Sequence, residues 1–231
     1  MHDYREFENP PHGHRIDITP YPDLKPPGPS VGGEQAADDQ SMRKTYNVPQ
    51  DAMMIYTDGA CPSNGLVAGR AGIGVFFGLH DPRNISARLP GVHQTNQRAE
   101  LFAVLKALEI LHTGQTRPKK CVILTDSKYV VQALTQWAPN WERKGWKTAD
   151  RKEVVSKDLF KRARDLMKTL AANGTNVEFR HIRGHSGVWG NEMADKLAVE
   201  GAWMEEIVLV EWEGVFDDEE LDRMIAEMEN V

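Results

Sequence analysis

Between Met53 and Gly201 the spacing of apolar residues changes in an order that few folds can accommodate. Met53-Met54-Ile55-Tyr56-Thr57 is a short apolar run closed by Asp58-Gly59, and residues 71–77 form a second. Ile85-Ser86-Ala87-Arg88-Leu89 alternates, as a strand with one wet face does. Leu101, Val104, Leu105, Leu108 and Leu111 then recur at helical spacing, with Thr95 or Asn96 as the cap and Gly114 as the stop. Cys121-Val122-Ile123-Leu124-Thr125 reads as a central strand covered on both faces, and Asp126-Ser127 ends it and can cap a following helix. Beyond a Trp-rich connection come a helix over Val154–Ala172, a strand over Val177–Ile182 and a helix over Asn191–Gly201. The expected fold is α/β: a mixed five-stranded sheet, three antiparallel strands and then parallel ones, with helices on both faces.

The flanks differ in kind. Residues 1–50 are rich in Pro, Gly and Asp and offer little to bury, so a disordered segment is expected there. Residues 204–231 form an acidic tail in which Leu221, Met224, Ile225 and Met228 keep helical spacing behind Asp217-Asp218-Glu219-Glu220. The domain between them, 51–203, carries 22 Lys+Arg against 15 Asp+Glu, whereas the tail has 1 against 11. The net charge of −6 therefore conceals a basic domain suited to a polyanion.

Two cysteines, Cys61 and Cys121, supply neither a disulfide framework nor a zinc motif, so a reducing compartment is expected. No apolar run is long enough to span a membrane, and the N-terminus lacks the apolar core of a signal peptide. Asp3, Glu6 and Glu8 argue against a mitochondrial presequence. The nucleus and cytoplasm are the expected locations, with the mitochondrion left open.

Four acids stand in four separate segments: Asp58, Glu100, Asp126 and Asp195. Singly, each has an ordinary reading: Asp58 as a turn residue before Gly, Asp126 as a cap before Ser, Glu100 and Asp195 as flank carboxylates of their helices. Gathered by the fold, they would make an oxygen-only cage suited to Mg²⁺ or Mn²⁺.

The strings Tyr56-Thr57-Asp58-Gly59-Ala60-Cys61, Thr95-Asn96-Gln97-Arg98-Ala99-Glu100, Leu124-Thr125-Asp126-Ser127, Gly184-His185-Ser186-Gly187 and Gly190-Asn191-Glu192-Met193-Ala194-Asp195 closely resemble type 1 ribonuclease H, in order and at similar separations, over roughly residues 53–202. The resemblance implies an endoribonuclease that hydrolyses the RNA strand of RNA/DNA hybrids with two Mg²⁺ ions, Mn²⁺ being the alternative. It leaves 3′-hydroxyl and 5′-phosphate ends. By the same resemblance Asp58, Glu100, Asp126 and Asp195 hold the metals, and His185 assists proton transfer or product release. Repulsion among four carboxylates should raise the pKa of at least one of them.

The resemblance also places Cys61, Ser63, Asn64, Asn96 and Gln97, together with Glu100, on the RNA strand, where 2′-hydroxyls distinguish RNA from DNA. Tyr129 and Trp137 would face the DNA strand, Trp137 from a basic, aromatic segment running to Lys152. The DNA-phosphate pocket that animal members build from Arg, Thr and Asn has His93, Thr95 and Ser156 at the matching positions, which implies weaker or more pH-dependent hybrid binding. Residues 1–50 lack the aromatic and basic pattern of the hybrid-binding module seen in many eukaryotic members, so processive cutting is not expected. A monomer is expected, with the acidic tail as a place for a protein partner. A binding module without turnover and the nuclease portion of a retroelement polyprotein are the alternatives.

Overall fold

The structure, a computed structural model, describes residues 39–62 and 69–205. Five strands, β1 (Met53–Ala60), β2 (Gly72–Phe76), β3 (Ile85–Arg88), β4 (Lys120–Thr125) and β5 (Asn176–His181), form one sheet in the order β3-β2-β1-β4-β5. β1/β2 and β2/β3 are antiparallel, while β1/β4 and β4/β5 are parallel, as the sequence pattern predicts.

Helix α1 (Asn96–Thr113) starts at Thr95, whose hydroxyl accepts from the Arg98 N–H, and stops at Gly114. α2 (Lys128–Gln132) is capped by Ser127 and runs through a π-helical turn at Ala133–Trp137 into α3 (Ala138–Arg143). α4 (Lys157–Ala172) and α5 (Trp189–Trp203) complete the domain.

Strand alternation distributes the layers. Met54 and Tyr56 of β1, with Phe76, Val122 and Leu124, pack beneath Met193, Ala194 and Leu197 of α5. Gly59, one residue out of phase, lies under α1 on the other face: a Cβ there would strike the Glu100 N–H and stand 2.8 Å from the Ala99 Cβ. Gly74 similarly lets the α5 backbone at Ala194 and Ala198 sit directly on β2.

Three boundaries differ from the sequence reading by more than two residues. β1 does not end before Asp58-Gly59; its antiparallel pairing with β2 continues to Ala60↔Gly72, whereas its parallel pairing with β4 ends at Tyr56↔Leu124. α4 begins at Lys157 rather than Val154, because Ser156 adopts a left-handed conformation (φ 55°) that a helix cannot include. The packed body also begins before residue 51. Residues 39–45 are helical, and Met42 and Val48 are 4% and 5% exposed within the α5-side core. Arg43 ties this segment down by donating to the carbonyls of Pro49 (2.5 Å) and Ala52 (3.1 Å). The rest of the N-terminal segment, from 1 to 38, and the tail from 206 lie outside the described residues.

Candidate active site

Parallel pairing places two carboxylates side by side. Tyr56 pairs with Leu124, so Asp58 and Asp126, each two residues further on, stand level beyond the last rung between neighbouring strands. Asp58 is 7% exposed. Its register partner is Gly74, and Ala194 of α5 lies on Gly74, which brings the adjacent Asp195 to the same face. Glu100 arrives from the opposite face, at the start of α1 where it crosses Gly59.

The four carboxyls act on one another electrostatically. Burial first, then the charge of Asp126, push the Asp58 carboxyl from an ordinary 3.8 up to about 8; Asp195 and Glu100 add to the rise, and the Gly59 N–H, 2.7 Å from Oδ1, opposes it. Glu100 is also raised, by burial and more weakly by Asp126, against hydrogen bonds from Ser127 and Asn96 that favour its ionised form. Asp195 is raised by burial and by Asp126, while nearby His185 pulls it down.

Hydrogen bonds orient the set. The Ser127 hydroxyl donates to Glu100 Oε2 at 2.5 Å and the Asn96 amide to Oε1 at 2.9 Å. Asn96 Oδ1 accepts the Cys61 N–H at 3.0 Å, and the buried Cys61 thiol donates to the Gln94 carbonyl at 3.6 Å. The Cys61 thiol is therefore buried and engaged. His185 is exposed with φ 49°, in a loop closed by Ser186 donating to the Arg183 carbonyl at 2.6 Å. That loop meets Asp126 through Gly184, where a Cβ would stand 2.5 Å from Oδ2.

Tyr129 stacks edge-on against Trp137 (5.9 Å) and Phe160 (6.1 Å), and its hydroxyl pKa is raised by burial and by the charge of Glu100. Trp137 also packs on Trp141 at 5.9 Å, so the basic, aromatic segment is braced by its own rings. Arg98 forms a bidentate pair with Asp158, which sets the starts of α1 and α4 together and with them Thr95 and Ser156. His93 is exposed in the loop before Thr95, and Gln97 is exposed on the first turn of α1. Ser63 and Asn64 lie outside the described residues. Sequence reasoning missed Ser127 as a partner of Glu100, and it missed Asn191, whose Nδ2 is 3.5 Å from Asp126 Oδ2. The spacing of Asn191 four residues before Asp195 was the available signal, since it puts both on one helix face.

The donor set fits hard divalent cations: three carboxylates, Glu100, Asp126 and Asp195, around a buried Asp58 whose ionised form has no compensating positive charge among the described residues. Among the described residues no three His, Cys, Asp or Glu side chains already converge at ligating distance. Glu100 is held instead by Ser127 and Asn96. The fit is therefore one of chemistry and placement, not of a closed cage.

The chain matches the RNase H family model over residues 50–203. It belongs to the RNase H family. Human Ribonuclease H1 is 44% identical over 160 residues, 69% of this chain and 53% of that protein, so the chain spans about half the length of this relative. Ribonuclease H of Bordetella avium is 39% identical over 159 residues, 68% of this chain and 94% of that protein. The fold is shared with a foamy viral protease-reverse transcriptase whose structure was solved in complex with an RNA/DNA hybrid. That likeness has a TM-score of 0.55 at 24% identity, over 66% of this chain and 20% of the viral one. Membership in the family agrees with the resemblance carried by the five sequence strings.

Proposed function

We propose that the chain is an endonuclease that hydrolyses the RNA strand of RNA/DNA hybrids with divalent metal ions, Mg²⁺ first. The observation that carries this reading is the level placement of Asp58 and Asp126 on adjacent parallel strands, with Glu100 and Asp195 delivered from helices on opposite faces. Asp58, Glu100, Asp126 and Asp195 would hold a pair of ions. When bound, such ions supply Lewis acidity that activates water and stabilises a leaving 3′ oxygen, giving 3′-hydroxyl and 5′-phosphate ends.

The other residues sort by position. Cys61 through its backbone, Asn96 and Gln97 border Glu100 and would meet the RNA strand, while Tyr129 and Trp137, packed against each other, would face the DNA strand. Thr95 and Ser156, at two neighbouring helix starts, and exposed His93 would receive a DNA phosphate. R-loops and RNA primers are the hybrids that such an activity would act on.

A labelled hybrid, double-stranded RNA and double-stranded DNA, each incubated with Mg²⁺, test the proposal. Cleavage confined to the RNA of the hybrid, and lost in Asp126→Asn, is expected; binding without cleavage would make the chain a silent module. His185, exposed and close enough to Asp195 to lower its pKa, would ferry a proton rather than ligate. His185→Ala should accordingly lose about 100-fold in rate, the lower end of general acid–base help, and an unchanged pH–rate profile would remove His185 from the reaction.

A further inference from the structure

We propose that Asn191 is a positioning residue of the cation site, steadying Asp126 through its amide and offering its carbonyl oxygen to water that accompanies the ion. The inference rests on the reading of the four carboxylates as a cation site.

Asn191 is 3% exposed, in the first turn of α5, and four residues before Asp195. Its Nδ2 lies 3.5 Å from Asp126 Oδ2, a long contact that leaves room to tighten. Its Oδ1 is buried and has no hydrogen-bond partner among the described residues. Buried polar atoms are rarely left so, and an orphaned acceptor beside a carboxylate site is a place held for a donor. The cap of α5 does not explain the residue, because the helix starts without a side-chain cap at Val188 and Asn191 lies inside it. Nor is packing sufficient, since an amide brings two polar ends into a turn otherwise lined by Val188, Met193 and Ala194.

A hydrated divalent ion would supply the missing donor. Mg²⁺ dehydrates reluctantly and keeps several waters, whose hydrogens point outward. Asn191 would accept one of these through Oδ1 while its amide holds Asp126 Oδ2, so one side chain orients both a ligand and the hydration around it. Groups in this outer position typically govern about 10- to 100-fold in metal affinity.

Calorimetric titration and thermal melting with MgCl₂ alone, on the full chain without nucleic acid, test the inference. Asn191→Ala removes the amide, and Asn191→Leu removes it while keeping the volume, which guards against a trivial folding defect. The midpoint Mg²⁺ concentration is expected to rise about 10- to 100-fold in both. The metal-free melting temperature of Asn191→Leu should stay at or above that of the wild type, since an unpaired polar group has gone. A Leu variant whose Mg²⁺ midpoint stays within about twofold of wild type, well short of that range, overturns the role of Asn191 and leaves the carboxylate site standing. A wild-type chain that shows no Mg²⁺ response overturns both.

Discussion

Asp58→Asn is expected to lower hybrid cleavage by at least about a thousandfold, or ~4 kcal/mol of transition-state stabilisation, while making the metal-free protein more stable at neutral pH. Both effects have one cause. Asp58 is buried beside Asp126 and its carboxyl titrates near 8, so the folded protein keeps a proton that the unfolded chain surrenders near 3.8. An acid whose pKa is raised on folding contributes its full stability below the unfolded value, and that contribution drains away as pH climbs through the folded value. Wild-type melting temperature without divalent ions should therefore fall between about pH 4 and pH 8. The Asn variant lacks this titration, so the two curves should separate as pH rises, reaching a few kcal/mol, on the order of 5 at most, near pH 8.

Mg²⁺ should reverse the order. Bound at a hundred times its dissociation constant it stabilises by about 2.7 kcal/mol, lifting the wild type while Asp58→Asn stays nearly unmoved. If the variant melts below the wild type at pH 8 without metal, the Asp58 carboxylate is serving the Gly59 N–H and the reading of a cation site fails at its centre.

Gly59→Ala is expected to destabilise the domain by about 3 kcal/mol, and at the 2–4 °C per kcal/mol usual for this size to lower the melting temperature by roughly 6–12 °C. Its Cβ would enter the α1 backbone at Ala99 and Glu100, and backbone cannot move aside as a flexible side chain can. Relief requires α1 to lift from β1, which withdraws Glu100 from the other carboxylates. Activity should thus fall even at temperatures where the variant remains folded. Thermal melts paired with cleavage assays well below the transition separate the two losses. A variant that melts early but cuts at the wild-type rate would show that Glu100 does not depend on this seat.

The elements were legible where apolar period alone determines them. Leu101 to Leu111 on one helix face and the uninterrupted run Cys121–Leu124 leave little choice, and both appear where expected. Boundaries set by pairing were not legible. Asp58-Gly59 has the chemistry of a turn, yet β2 continues to pair alongside it to Ala60. Val154 fits the periodicity of α4 because it is buried, but the left-handed Ser156 separates it from the helix.

The acid quartet was legible only as a conjunction, since each member alone resembles a cap or a flank. Partners that orient the quartet were hidden: nothing local in Ser127 or Asn96 announces a contact with Glu100 across the fold, and Ser127 already had a satisfactory reading as a cap. The aromatic segment was partly legible. Its rings do pack on one another as well as flank the site, but the π-helical turn that delivers Trp137 leaves no mark in composition.

Met42 and Val48 lie upstream of the span that the RNase H family model covers, yet they fill the same interior as Val122, Leu124 and Ile182. A fragment trimmed to the family boundary would lose part of its own hydrophobic seal and uncover the apolar side chains that Met42 and Val48 cover. Self-association and poor solubility of such a fragment would be faults of the cut rather than properties of the enzyme fold.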